Sequence, residues 1–104
     1  MNESLRSRVI LSVNRALLGE VFRELVAVSC ELESEKSFKL TFFVDSDLPG
    51  FMEEEISCIE TEVIADFPSS FEISHEVRIS RQPRLTPSEE FWIFLRKDVG
   101  VEPI

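Results

Sequence analysis

The sequence is poor in the residues from which catalytic and metal sites are usually built. Its 104 residues include one histidine, two cysteines, three glycines and no tyrosine. The glycines are isolated from one another, so there is no glycine-rich phosphate loop. Neither a G-x-S-x-G nucleophile turn nor an H-E-x-x-H zinc run occurs. These absences predict a protein that is not an enzyme and that holds no cofactor and no metal.

The histidine and the cysteines do not form a recognisable motif. Cys30 and Cys58 are too few for a disulfide framework and lack the paired spacing of zinc ligands. They predict reduced thiols, with a single disulfide between them as the alternative. His75 falls among apolar residues of an alternating segment, which predicts a mostly buried histidine with a hydrogen-bond partner. A pH-sensing or catalytic role for His75 is the alternative.

Long hydrophobic runs are also missing. No apolar stretch approaches the roughly 18 residues that cross a bilayer, and the first residues lack the layout of a signal peptide. We therefore expect a cytoplasmic protein without membrane contact. A length of 104 residues that are 43% hydrophobic predicts a single domain over residues 1–104. The tail from about residue 98 to 104 is expected to be flexible.

Basic residues are outnumbered, and the imbalance is local. The chain carries 11 Lys and Arg against 20 Asp and Glu, a net charge of −9, and residues 20–76 hold fifteen acids and three bases. Such a segment repels nucleic acid and anionic lipid and attracts basic proteins. Solubility alone is the alternative use of the acidity. Arg6, Arg8 and Arg15 precede this segment and are expected to pair with it.

The acids concentrate on one predicted helix between residues 47 and 68. Its apolar stripe consists of Met52, Ile56, Ile59, Val63 and Phe67. Acidic rows flank the stripe on both sides, and one further acid points directly away from it. The candidate partner-binding residues are Glu53, Glu54, Glu55, Glu60, Glu62 and Asp66. We predict that they dock a basic protein partner; a solvated face without a partner is the alternative.

Hydrophobic periodicity predicts the order α-β-β-α-β-β. The helices cover residues 4–18 and 47–68, and the strands cover 25–32, 37–45, 71–80 and 91–97. The simplest packing is an α+β fold with two helices on one face of a four-stranded antiparallel sheet. Gly19 is expected to end the first helix in a left-handed conformation. Strict alternation places Val26 and Leu25 on opposite faces, with Val26 beside Cys30.

A secondary candidate surface lies on the second face of the sheet and in the loop 81–90. Phe43 and Trp92 are predicted on that face, either as part of a strand buried on both sides or against a partner. A domain that self-associates into a homodimer through Phe43, Trp92 or Phe94 is the alternative to an inhibitor. Arg81 and Arg84 lie in a loop with two prolines that is longer than a hairpin needs, and a plain connection is the alternative there.

Three stretches resemble a group of small bacterial proteins. Residues 15–21 resemble the end of the group's first helix, residues 61–68 the end of its second helix, and residues 92–96 its last strand. The group is similar to small immunity proteins of contact-dependent growth inhibition and related toxin systems. The resemblance implies a protein that protects its cell by binding the toxic domain made by its own kind. Toxins that cleave nucleic acid are usually basic, so a small acidic inhibitor would suit them.

Overall fold

The fold follows the predicted order of two helices and four strands. The computed structural model describes residues 3–46, 50–80, 83 and 90–96. Its elements are α1 (Glu3–Leu17), β1 (Leu25–Ser34), β2 (Ser37–Val44), α2 (Gly50–Ala65), β3 (Glu72–Ile79) and β4 (Glu90–Leu95). The prediction of an α+β fold with this order is confirmed. The predicted flexible tail and the loop arginines Arg81 and Arg84 lie outside the described residues.

Helix α1 packs through one apolar stripe and ends at a glycine. Leu5, Val9 and Val13 are buried along the stripe. Gly19 has φ 80°, a conformation that side chains with a Cβ rarely adopt. The amide of Glu20 donates to the Leu17 carbonyl at 3.0 Å and so satisfies one of the last free carbonyls of the helix. The predicted helix end is confirmed.

Helix α2 buries the stripe that its spacing predicts. Ile56, Ile59, Val63 and Phe67 are all buried, whereas the side chain of Met52 lies outside the description. Beyond the last turn, the amide of Phe67 donates to the Ile64 carbonyl at 3.2 Å, three residues back. Pro68 follows and has no N–H with which to continue the helix.

The sheet is mixed, so the prediction of a wholly antiparallel sheet is wrong. The strand order is β3-β2-β1-β4. Strand β1 pairs antiparallel with both β2 and β4, whereas β3 runs parallel to β2. The reason is the connection, because α2 carries the chain from the end of β2 back to the start of β3 as a crossover. The third and fourth strands therefore form no hairpin and lie at opposite edges.

Register shifts in the sheet break the predicted alternation. The pairing of β1 with β2 shifts between Leu25 and Ala27. The extra residue, Val26, joins a small cluster on the outer sheet face, while Leu25 enters the main core. The pairing of β1 with β4 also shifts, and Ile93 and Phe94 both pack against the main core. The predicted faces of Leu25, Val26 and Phe94 were therefore wrong, whereas Ile93 lies on the core side with Phe91 as predicted.

The main core lies between the helices and one face of the sheet. It contains buried residues of α1 and α2 together with Cys30, Phe38 and Phe42 from the sheet. Both helices therefore cover the same sheet face, as predicted. The helices run antiparallel to each other: Arg8 in the first half of α1 lies over Phe67 beyond the end of α2, and Glu20 beyond the end of α1 meets Glu55 in the first half of α2. This packing leaves the remaining side of α2 in solvent.

Candidate partner-binding site on the acidic helix

The two acidic rows of α2 face different neighbours. Glu60 contacts β3, and Glu53 lies seven residues before it on the same side of the helix. Asp66 contacts α1, and Glu62 lies one turn before it in the second row. The rows predicted from periodicity are thus present. One flanks the sheet edge and the other flanks the first helix.

Asp66 connects the two helices. Its carboxylate accepts a hydrogen bond from the Ser12 hydroxyl at 2.7 Å and another from the Arg15 guanidinium at 2.8 Å. The Ser12 hydrogen bond, and after it the Arg15 hydrogen bond, hold the pKa of Asp66 below its ordinary value. Asp66 therefore contributes to helix packing, a role that the sequence prediction did not include.

Among the residues that the structure describes, the predicted pairing of the arginines with the acidic segment is seen for Arg15 and not for Arg6 or Arg8. Arg6 lies over the ring of Phe91, with the guanidinium carbon 4.6 Å from the ring centroid. Arg8 lies over Phe67 at 5.0 Å. Both distances fall in the range of cation–π attraction. Within the described residues, Arg6 and Arg8 therefore contact aromatic rings and not the acidic segment.

Glu60 is also engaged within the chain. Its carboxylate lies 2.7 Å from Nδ1 of His75, and the imidazole packs edge-on against Phe42 with centroids 6.1 Å apart. His75 therefore has the predicted hydrogen-bond partner. His75 is less buried than predicted, because it is an exposed residue with a third of its side chain in solvent. The cause is its place on β3, which lies at the edge of the sheet.

Glu55 faces another carboxylate. Its hydrogen bond to Glu20, together with its charge, raises the pKa of Glu20 above the ordinary value. Glu20 follows the end of α1 and contributes acidity to the same surface as α2. Periodicity did not predict this contact, because the two residues are brought together only by the antiparallel packing of the helices.

Three of the predicted carboxylates remain for a partner. Glu53, Glu54 and Glu62 are exposed. Among the residues that the structure describes, none of the three has an ion pair or side-chain hydrogen bond. Beside Glu62, a shallow groove of about 480 Å³ runs between the ends of the two helices. Leu18 lines this groove and is 78% exposed. The groove thus sets an apolar side chain beside an available carboxylate.

On the outer sheet face, Phe43 and Trp92 lie as predicted and Phe94 does not. The rings of Phe43 and Trp92 pack edge-on with centroids 5.7 Å apart, so both lie on this face as expected. Phe43, however, is only 3% exposed and Trp92 is half-buried. Phe94 packs against the main core instead. The three aromatics expected to support self-association therefore present little free apolar surface.

Charged side chains on the outer sheet face form a hydrogen-bonded network, which the periodicity of the sequence did not predict. The Glu76 carboxylate accepts hydrogen bonds from Arg78 at 2.6 Å and from Lys39 at 3.2 Å. These two bonds lower the pKa of Glu76, with Arg78 the larger cause. Nearby, the buried Ser29 hydroxyl donates to Glu90 at 3.0 Å. Acids and bases on this face are therefore largely matched, in contrast to α2.

Cys30 and Cys58 do not form a disulfide. Both are free thiols, so the alternative disulfide is not formed. Burial raises the pKa of the Cys30 thiol, which lies in the core, whereas Cys58 is exposed on α2.

Within the described ranges, no group of His, Cys, Asp or Glu is arranged to hold a metal ion. The described helices are too short or too polar to span a membrane.

Fold and surface together define a small acidic α+β domain with exposed carboxylates along one helix. A family model described as MafI2 immunity protein matches residues 6–98. The match covers most of the chain, so the protein belongs to the MafI2 immunity protein family. No curated protein matches the chain. The resemblance to small bacterial immunity proteins, drawn from three short stretches, is thereby confirmed.

Proposed function

We propose that this immunity protein neutralises a basic, nuclease-type toxin domain, and that it binds the toxin through the exposed side of α2. The observation that carries the proposal is the set of exposed carboxylates of Glu53, Glu54 and Glu62, which have no ion pair with any described residue. A toxin that cleaves nucleic acid needs a positive surface for phosphates. A negative helix of matching shape would cover that surface and would exclude the substrate.

The charge distribution supports this assignment. The outer sheet face matches its acids with Lys39 and Arg78, whereas the exposed side of α2 leaves its acids unmatched among the described residues. The net charge of −9 adds long-range attraction for a basic partner. Such complementarity raises the association rate and suppresses binding to acidic proteins.

The predicted six-residue site is narrowed by the contacts within the chain. Asp66 and Glu60 are committed to Arg15 and His75, so they act mainly by holding the helix in place. We assign the direct contacts to Glu53, Glu54 and Glu62, with the apolar Leu18 at the border of the surface. The free thiols fit a reducing compartment, and we propose the cytoplasm as the place of action.

The test begins with a toxin domain obtained by capture on the tagged protein from its host bacterium. The purified domain is assayed for degradation of RNA and DNA, and the immunity protein is titrated against it. We expect degradation that stops near one equivalent of immunity protein. A captured domain that is acidic, or that keeps its full activity when saturated with the immunity protein, would contradict the proposal.

Charge variants then locate the surface. The triple substitution of Glu53, Glu54 and Glu62 to Gln should raise the concentration needed for half inhibition by about tenfold or more. The matched control changes Glu24, Glu33 and Glu35 to Gln, which removes the same charge near the two ends of β1. Equal effects of the two triples would contradict the assignment to α2.

A further inference from the structure

The outer edge of β3 carries a row of backbone groups that pair with no other strand in the described part of the chain. The amide of Glu72 donates to the Lys36 carbonyl and the amide of Ser80 donates to the Val44 carbonyl, both at 2.8 Å. The register between these two bonds is unbroken. Because backbone groups of successive residues alternate in direction along a strand, the intervening odd-numbered residues point theirs away from β2. These residues are Ile73, His75, Val77 and Ile79. No described strand lies beyond them.

This edge lacks several of the usual protections against pairing. Soluble proteins blunt exposed edges with short strands, bulges, prolines or charged side chains, lysine above all. The charged Glu76 and Arg78 of β3 are hydrogen-bonded to each other on the outer sheet face. Strand β3 has eight residues, contains neither proline nor lysine and keeps a regular register. The opposite edge strand, β4, is shorter, with six residues, and its pairing with β1 is interrupted by a bulge. Of the two edges, β3 is therefore the one suited to accept another strand.

The side chains beside the edge indicate what that strand should carry. On the helix side, Val77 is half-buried and Ile79 is 58% exposed, so apolar contacts are available there. The acidic row of Glu53 and Glu60 lies on the same side, because Glu60 contacts His75 of β3. A strand added at this edge would meet apolar surface and negative charge together.

We propose that β3 accepts an extended strand of the toxin, which joins the sheet through backbone hydrogen bonds. On the side facing α2, this strand carries apolar residues next to Val77 and Ile79 and a Lys or Arg that reaches Glu53, the exposed acid of that row. The inference rests on the proposed function, since it names the structural element through which the toxin is held. A second copy of this chain fits less well, because its own acidic row would approach that of the first.

Residue-resolved amide exchange of the unmodified protein, free and bound to the purified toxin domain, tests the proposal. In the free protein, the amides of Ile73, His75, Val77 and Ile79 should exchange faster than those of Ser74 and Glu76, which point to β2. Toxin should slow exchange at the odd-numbered positions by about 100-fold, because hydrogen-bonded amides exchange only on opening. The even-numbered positions should be protected in both states.

A pair of substitutions at Ile79 isolates the backbone contribution. Ile79→Pro removes an N–H that points outward, which an edge strand tolerates, whereas Ile79→Ala keeps it. We expect the proline variant to bind toxin about tenfold more weakly than the alanine variant. Both variants should keep the protection of the even-numbered amides, which checks that the fold is intact.

The outcomes separate the inference from the function on which it rests. Toxin binding with unchanged exchange at the odd-numbered amides would overturn the strand proposal and leave the inhibitor role in place. Absence of any toxin complex would overturn both. Odd-numbered amides that are already protected in the free protein, and that lose protection on dilution, would assign the edge to a second copy and contradict the proposal.

Discussion

The guanidinium of Arg15 lies 2.8 Å from the carboxylate of Asp66 and joins the last turn of α1 to the end of α2. Ser12 donates to the same carboxylate oxygen from one turn earlier in α1. The carboxylate of Asp66, at the end of α2, therefore holds α2 against α1. Glu53, Glu54 and Glu62 of α2 stay exposed, so the chain divides its carboxylates between internal contacts and solvent.

The Asp66 contact should make part of the stability depend on pH. Because its pKa is lowered in the folded protein, its contribution is present above the ordinary value of 3.8 and is lost as the pH falls through the folded value. Asp66→Asn should cost about 1 kcal/mol or less of unfolding free energy at about pH 7, since the pair is exposed. Urea denaturation should show this cost shrinking toward about pH 3. A cost that is equal at both pH values would contradict the assignment.

Glu20 should show the opposite pH dependence. Its pKa is raised by Glu55, so the folded state is favoured below the ordinary value of 4.5 and loses this advantage as the pH rises through the folded value. Glu20→Gln removes the repulsion and should raise the melting temperature at neutral pH. The gain should disappear below that ordinary value. Glu24→Gln serves as the control, and an equal gain from it would show that net charge alone is responsible.

Two isoleucines of α2 should differ in their contribution to stability. Ile59 is 0% exposed in the main core, whereas Ile64, five residues later, is 46% exposed. Ile59→Ala should cost about 2–5 kcal/mol of unfolding free energy, because it removes packed methylene groups and leaves a cavity. Ile64→Ala should cost well under that, at about 1 kcal/mol or less. Chemical denaturation measures both, and equal losses would mean that α2 is rotated from the described orientation.

The two thiols should differ in reactivity. Cys58 is exposed, whereas Cys30 is buried in the core with a raised pKa. A thiol reagent should therefore label one cysteine in the native protein and two after denaturation. Cys58→Ser should abolish native labelling. Rapid labelling of that variant without unfolding would contradict the placement of Cys30.

Local patterns in the sequence were sufficient for the helices and for most strand positions. The stripe of α2 and the end of α1 at Gly19 depend on neighbouring residues only, and both were predicted correctly. The direction of β3 was not, because side-chain alternation does not specify which strand lies beside it. The bulge at Val26 likewise depends on the pairing partner and left no trace in the alternation.

The candidate site was predictable in its position but not in its internal contacts. The two acidic rows follow from helical geometry. The engagement of Asp66 by Ser12, which is 54 residues away, depends on how the helices pack. The same holds for the contact between Glu60 and His75. Only the structure separates these occupied carboxylates from the exposed ones at Glu53, Glu54 and Glu62.

The central claim is that exposed acids of α2 guide a basic toxin to this protein, and association kinetics over a range of salt concentrations test it most directly. Wild type should bind fast at low salt and progressively more slowly as salt screens the charges. The triple Glu-to-Gln variant at 53, 54 and 62 should bind about tenfold more slowly at low salt and should respond less to salt, while the triple variant at 24, 33 and 35 stays close to wild type. Wild-type rates and an unchanged salt response in the α2 variant would contradict the account.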